Sequence, residues 1–296
     1  MSNLPERICY REEPIAIHTI RLVHADERQQ RRIRGVAVLG QEVFVVSSRC
    51  PEIVVYDASS FSEQRRFDLP GLVDAWDIVS CPINNCLYVM DGKEPNADKE
   101  IIRFESSGDV KSFWSTRRKA GYLSVARDGR VVLAVYAKNV VVEYSSEGER
   151  IRKIRITSIA GEIHPHHAFK LETGHFLAIH GIGDSLHRAC IINEDTGALV
   201  KSFGGKKGSG DGHMNLPKYL AVDSAGSVMV LDQNNNRVLL LGFDLQYQAE
   251  LVASRHGLQS PCKIHLNESS GRLYVAEFDK IHVFDILQKN AVMEYI

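Results

Sequence analysis

The stretch Phe203–Phe243, FGGKKGSGDGHMNLPKYLAVDSAGSVMVLDQNNNRVLLLGF, holds one complete structural unit. Two runs rich in β-branched and aliphatic residues, Tyr219–Val222 and Val228–Leu231, flank the turn Asp223-Ser224-Ala225-Gly226, and a third, Val238–Leu241, follows a polar loop. Connections this short join only antiparallel neighbours, because a parallel crossover takes a dozen or more residues. The stretch therefore predicts three strands of a meander. In the polar loop, Asp232-x-x-Asn235-x-Arg237 sets a carboxylate, an amide and a guanidinium where they can bond the loop backbone, which predicts a fixed loop shape.

Outward from this unit, the chain repeats it. First strands end at Val38, Val79, Val125, Leu171, Val222 and Leu266, at successive spacings of 41, 46, 46, 51 and 44 residues. Each is followed by a turn and two more apolar runs, and then by a more polar run such as Val110–Ser115 or Arg150–Ile156, as suits the outer edge of a sheet. Six copies of three to four strands at this period predict an all-β, six-bladed β-propeller of four-stranded antiparallel blades. The sixth copy lacks its own fourth run, and Ile15–Val23 or Ala291–Ile296 can supply it. We expect the N-terminal run to do so, which closes the ring by joining both chain ends in one sheet. Residues 1–14 read as a loosely held tail and 15–296 as one domain.

The unit Phe203–Phe243 resembles an NHL repeat. The Gly-rich lead-in Gly204 to Gly212, Pro217, Ala221-Val222-Asp223, Gly226, Asp232, Asn235 and Arg237 fall in the order of that family's pattern, and the other five copies match it weakly. The resemblance implies a propeller like those of tripartite-motif proteins, in which such domains serve as interaction modules, some of them binding RNA. It also implies either a stand-alone protein or a piece of a larger one, with the substrate-presenting module of a ubiquitin ligase as an alternative role.

With 296 residues, 44% of them apolar, the chain suffices for one large core. A formal net charge of −1 favours no partner class, so any attraction to nucleic acid must come from charge placement. The start has no apolar core of a signal peptide and no run approaches a membrane span, which predicts a cytoplasmic protein with no membrane partner. The six cysteines read as reduced thiols, although Cys81 and Cys86, at the two ends of a short hairpin loop, could face each other closely enough to bridge.

Strand direction alternates in a meander, so the loops from fourth to first strand and from second to third emerge on one face. The fourth-to-first loops carry twelve cations against six anions. Their cations include Arg31, Arg32, Arg34, Arg117, Arg118, Lys119, Lys206, Lys207, Lys218 and Lys263, and Trp76, Tyr122 and Tyr219 stand beside them as candidate stacking surfaces. Basic groups with aromatic platforms suit single-stranded nucleic acid, whose phosphates are neutralised while its bases stack. The loop Asp91–Glu100, with four anions and two cations, predicts an acidic sector on the second blade.

His164, His166, His167, His175, His180 and His187 crowd the fourth copy, but an axial metal needs ligands from several blades, so we expect no metal site there. A pH-sensitive patch is the milder alternative. Gly204–Gly210 lacks the spacing and following helix of a P-loop, and neither GxSxG nor HExxH occurs. The expectation is a non-enzymatic, monomeric recognition domain with no cofactor, whose basic face binds a protein or single-stranded or hairpin RNA and not DNA. The enzyme alternative is a lactonase- or amidating-lyase-like propeller with an axial metal.

Overall fold

A computed structural model describes residues 8–22, 31–92, 98–116, 120–157, 164–181 and 186–288. Strand β1 (Tyr10–Arg21) is the first element. Blade one follows as β2 (Ile33–Leu39), β3 (Glu42–Ser47), β4 (Glu52–Asp57) and β5 (Glu63–Asp68), and blade two as β6 (Ala75–Cys81), β7 (Cys86–Asp91), β8 (Glu100–Phe104) and β9 (Val110–Ser115). Blade three is β10 (Ala120–Val125), β11 (Val131–Val135), β12 (Val140–Tyr144) and β13 (Arg150–Arg155). Blade four is β14 (His167–Lys170), β15 (Phe176–His180), β16 (His187–Ile192) and β17 (Leu199–Gly205). Blade five comprises β18 (Pro217–Val222), β19 (Val228–Asp232), β20 (Arg237–Leu241) and β21 (Tyr247–Val252). Blade six joins β22 (Lys263–Asn267), β23 (Arg272–Ala276) and β24 (Lys280–Leu287) to β1.

Each sheet is four-stranded and antiparallel, and the six form the expected propeller. Blade six runs in the order β1-β24-β23-β22, so the N-terminal strand closes the ring, as the sequence suggested. It begins at Tyr10, inside the segment read as a tail, and Arg11 reaches Asp285 at 3.2 Å. The Tyr10 hydroxyl donates to Asp223 on the neighbouring blade. The competing C-terminal run Ala291–Ile296 lies outside the described residues.

The core is distributed between blades. Phe44, Val46 and Ile53 of blade one pack on Ile78, Leu87 and Val89 of blade two, and the same kind of apolar layer recurs at each blade junction round to blades six and one. Each such side chain contributes about 1.5–3 kcal/mol by leaving water. Inner strands are therefore apolar on both sides, while β9 alternates half-buried and exposed residues along the rim.

Two local devices hold the connections. Asp232, fully buried, accepts the Asn215 N–H at 2.6 Å, the Asn235 amide at 2.7 Å and Arg237 Nε at 2.9 Å, and Arg237 also donates to the His213 carbonyl at 2.9 Å. That network ties the Gly-rich lead-in to the β19–β20 turn, which Asn236 completes at φ 52°, a left-handed conformation asparagine tolerates. Gly121 lies so close to the next blade that a Cβ there would sit 2.0 Å from the His166 carbonyl, and this contact lets the Tyr122 N–H bond that carbonyl at 2.9 Å.

All six cysteines are free thiols, and Cys81 and Cys86 are buried and directly opposed across β6 and β7. Among the described residues no helix is long and apolar enough to cross a membrane.

Candidate functional site

Where the inner strands β2, β6, β10, β14, β18 and β22 begin, they face the central channel. Aligned on their last residues, the repeats place Arg34 and Lys218 at one position, and Trp76, Tyr122, Tyr219 and Lys263 at the next. The structure brings all six to the axis, at two depths.

The deeper layer plugs the channel. Lys263 of blade six is 1% exposed and donates to Asp77 of blade two, which is 0% exposed. Asp77 also accepts the Leu123 N–H at 2.8 Å, the Ile78 N–H at 2.9 Å and the Tyr219 hydroxyl at 3.4 Å. Burial pushes the Asp77 carboxyl up and the Lys263 ammonium down, and each partner's field opposes the other's shift. Those donors to the carboxylate are what make a charged pair tenable so far from water. The Tyr219 ring stacks on His167 at 4.0 Å and carries Lys263 Nζ at 4.4 Å, while its hydroxyl reaches the Leu123 carbonyl at 3.0 Å. Tyr219 and Lys263, read from the sequence as a surface platform and a loop cation, are thus interior structural groups. Both occupy strand positions that point inward, which loop counting does not register.

Above this plug lies the mouth on the loop face. Trp76 and Tyr122, both half-buried, stack at 6.3 Å, and Tyr122 meets Tyr219 edge-on at 5.4 Å. Lys99 Nζ lies 3.4 Å from the Trp76 ring centroid and Arg34 Cζ 5.0 Å from it. Burial holds the Lys99 ammonium down at about 7, with Arg34 pushing the same way and Asp77, Asp74 and Asp91 opposing. Lys218 is lowered by burial, Arg34 again adding to the shift. Neither lysine makes an ion pair or a side-chain hydrogen bond among the described residues. Lys99 belongs to the Asp91–Glu100 loop that the sequence marked as an acidic sector. Its Asp91 is instead buried, accepting the N–H groups of Val73 at 3.1 Å and Asp74 at 2.7 Å, so a lysine from that loop reaches the axis. No charge count could find it, because the loop's net sign hides where each side chain points.

The remaining sequence candidates spread outward. Arg31 donates to the Cys50 sulfur at 3.0 Å, exposed Arg32 lies 4.7 Å above the Phe278 ring, and Lys206 and Lys207 are exposed on the blade-five lead-in. Arg117, Arg118 and Lys119 lie outside the described residues.

Four histidines are committed to backbone and neighbours. His167 donates from Nε2 to the Leu123 carbonyl at 2.8 Å and accepts the Leu220 N–H on Nδ1 at 3.0 Å. His187 accepts the Leu216 N–H at 2.8 Å, His180 accepts Arg188 Nε at 3.3 Å and His265 accepts the Val38 N–H at 3.2 Å. Burial lowers His166 to about 4 and His167, His180 and His265 to about 3, so these four stay neutral across the physiological range. Among the described residues no three His, Cys, Asp or Glu side chains group so as to hold a metal ion.

On the opposite face the channel opens into a cavity of about 560 Å³, lined by Val79, Ser124, Phe169, Leu220, Ile264 and Leu266 around a floor of Leu123, His167 and Tyr219.

No family model matches the chain, and no curated protein matches it by sequence. Solved structures do resemble it. An aldose sugar dehydrogenase from Streptomyces coelicolor, in its PQQ-bound form, superposes with a TM-score of 0.66 at 13% identity over 93% of this chain and 98% of that one. A streptogramin B lyase gives 0.60 at 10% identity over 92% and 98%, and the Cps50 (Swd1) β-propeller domain of Myceliophteria thermophila gives 0.55 at 11% over 86% and 82%. At such identities the likeness establishes the propeller fold alone. Two of these neighbours are enzymes, so the fold leaves open whether this chain catalyses a reaction.

Proposed function

We propose that this protein is a non-enzymatic recognition domain that takes single-stranded or hairpin RNA on its basic loop face. One observation carries the reading: Arg34 and Lys99, from two blades, stand against the Trp76 ring beside stacked Tyr122, and Lys218 holds the repeat position of Arg34 on blade five. Arg32, Lys206 and Lys207, exposed on loops that lead into blades one and five, add cations available to phosphates. Phosphate neutralisation by such cations supplies affinity, and a base laid on an aromatic face adds about 1–3 kcal/mol without sequence preference. The motif likeness of blade five to NHL repeats supports the same class of function.

Fluorescence polarisation with a random single-stranded RNA pool tests this. Binding is expected at low salt, with log K falling by about 0.7 per phosphate contact for each tenfold rise in salt. Lys206→Glu with Lys207→Glu weakens it uniformly across sequences. Absence of binding at low salt ends the RNA reading, and an acidic protein segment then becomes the partner to seek on this face.

A further inference from the structure

We infer that the channel mouth is a dedicated pocket for one compact oxyanion, a phosphate or carboxylate group, held jointly by Arg34, Lys99 and Lys218. The inference refines the preceding reading, since the same face is used, but it concerns a single anionic group at the axis rather than the exposed loop cations.

Arg34 and Lys99 both stand against the Trp76 ring, and Arg34 disfavours the charged form of each lysine. Cations gathered in a half-buried place are costly unless an anion joins them. Of the nearest carboxylates, Asp77 belongs to Lys263 and two backbone amides, Asp74 accepts the Arg49 N–H at 2.6 Å, and Asp91 accepts the Val73 and Asp74 amides through Oδ1. Two donors at the mouth, Arg34 Nε and Trp76 Nε1, are buried without a hydrogen-bond partner, and the Arg34 guanidinium lies over the Trp76 ring. Buried donors normally find acceptors, so two orphans side by side mark a missing acceptor. Their identities set its chemistry. A guanidinium and two ammonium groups favour an oxyanion, the guanidinium with a fork matching two of its oxygens. The plug of Tyr219, Asp77 and Lys263 beneath limits depth, which selects a compact group over a long one. Lys99, neutral in part near pH 7, takes up a proton as the anion enters.

Isothermal titration of the full chain with inorganic phosphate at pH 6.5, low in salt, is the direct test. One saturable site per chain is expected. Lys99→Gln and Lys218→Gln each weaken it by about tenfold, the scale of one charge-assisted hydrogen bond, and Lys99→Arg restores most of the loss. Lys111→Gln, on the outer edge of blade two, leaves it unchanged, and matched thermal midpoints confirm that the variants fold. Lack of saturable phosphate binding, or binding indifferent to Lys99 and Lys218, overturns the inference. RNA oligonucleotides with a 5′-phosphate or a 5′-hydroxyl separate the possible sources of the group. Preference for the phosphorylated end, lost in Lys218→Gln, assigns the pocket to a nucleic-acid terminus, and equal binding with phosphate still titrating assigns it to a free oxyanion. Phosphate binding without RNA binding retains the pocket and ends the RNA reading. RNA binding that phosphate does not share retains the RNA reading and ends the pocket.

Discussion

At the scale of single residues, the axis of the propeller combines opposite electrostatic strategies a few ångströms apart. Asp77 and Lys263 cancel each other in a fully buried pair, so removing one charge strands the other. Lys263→Met is expected to cost about 3–5 kcal/mol in urea unfolding, whereas Asp77→Asn combined with Lys263→Met recovers a large part of that loss. At the mouth, Lys99 and Lys218 form no ion pair among the described residues. Because the Lys99 ammonium is held at about 7, phosphate affinity is expected to be highest below pH 7 and to fall as the pH rises through that point, where Lys99 gives up its proton. Titrations across pH 6–9 read this, and the decline should vanish in Lys99→Arg. His166 and His180, held at about 4 and about 3, should add no rise between pH 7 and 5.

At the scale of elements, the latch strand β1 is the least symmetric part of the ring, since it reaches blade six from the other end of the chain. Its two faces differ: Ile20 is 2% exposed and packs in the apolar layer between blades six and one, while Ile17 is 39% exposed. Ile20→Ala is therefore expected to destabilise by about 2–5 kcal/mol, and Ile17→Ala by roughly 0.5 kcal/mol or less, in equilibrium denaturation. Equal effects would show that β1 is not held as described. The blade pattern itself was legible element by element. Runs such as Val228–Leu231 and Val238–Leu241 bury their residues almost completely because both sides of a blade face other blades, and that gives continuous apolar strings rather than alternation. The strand start at Tyr10 was not legible, because its first residues are held by partners distant in sequence, Asp285 and Asp223.

At the scale of the molecule, closure turns six marginal sheets into one cooperative body, and it does so through antiparallel pairing of β1 with β24. Deleting residues 1–21 is expected to lower the thermal midpoint and to expose the β24 edge, seen as concentration-dependent association in size-exclusion chromatography. An unchanged, monomeric product would mean that the ring does not depend on its latch.

The sequence by itself determined the number of blades, the strand order within them and which loops share a face. These follow from period, alternation and connection length, all of which are local or set by chain direction. It also contained Arg34, Lys218, Trp76 and Tyr122 as candidates. Only the tertiary structure decided radial position: that Lys206 and Lys207 stay on the rim, that Lys263 and Tyr219 are buried in the plug, and that Lys99 leaves an acidic loop to stand over Trp76. The physical reason is that convergence on an axis depends on the angle at which blades pack and on the direction each side chain leaves its strand, and neither quantity is written in linear spacing.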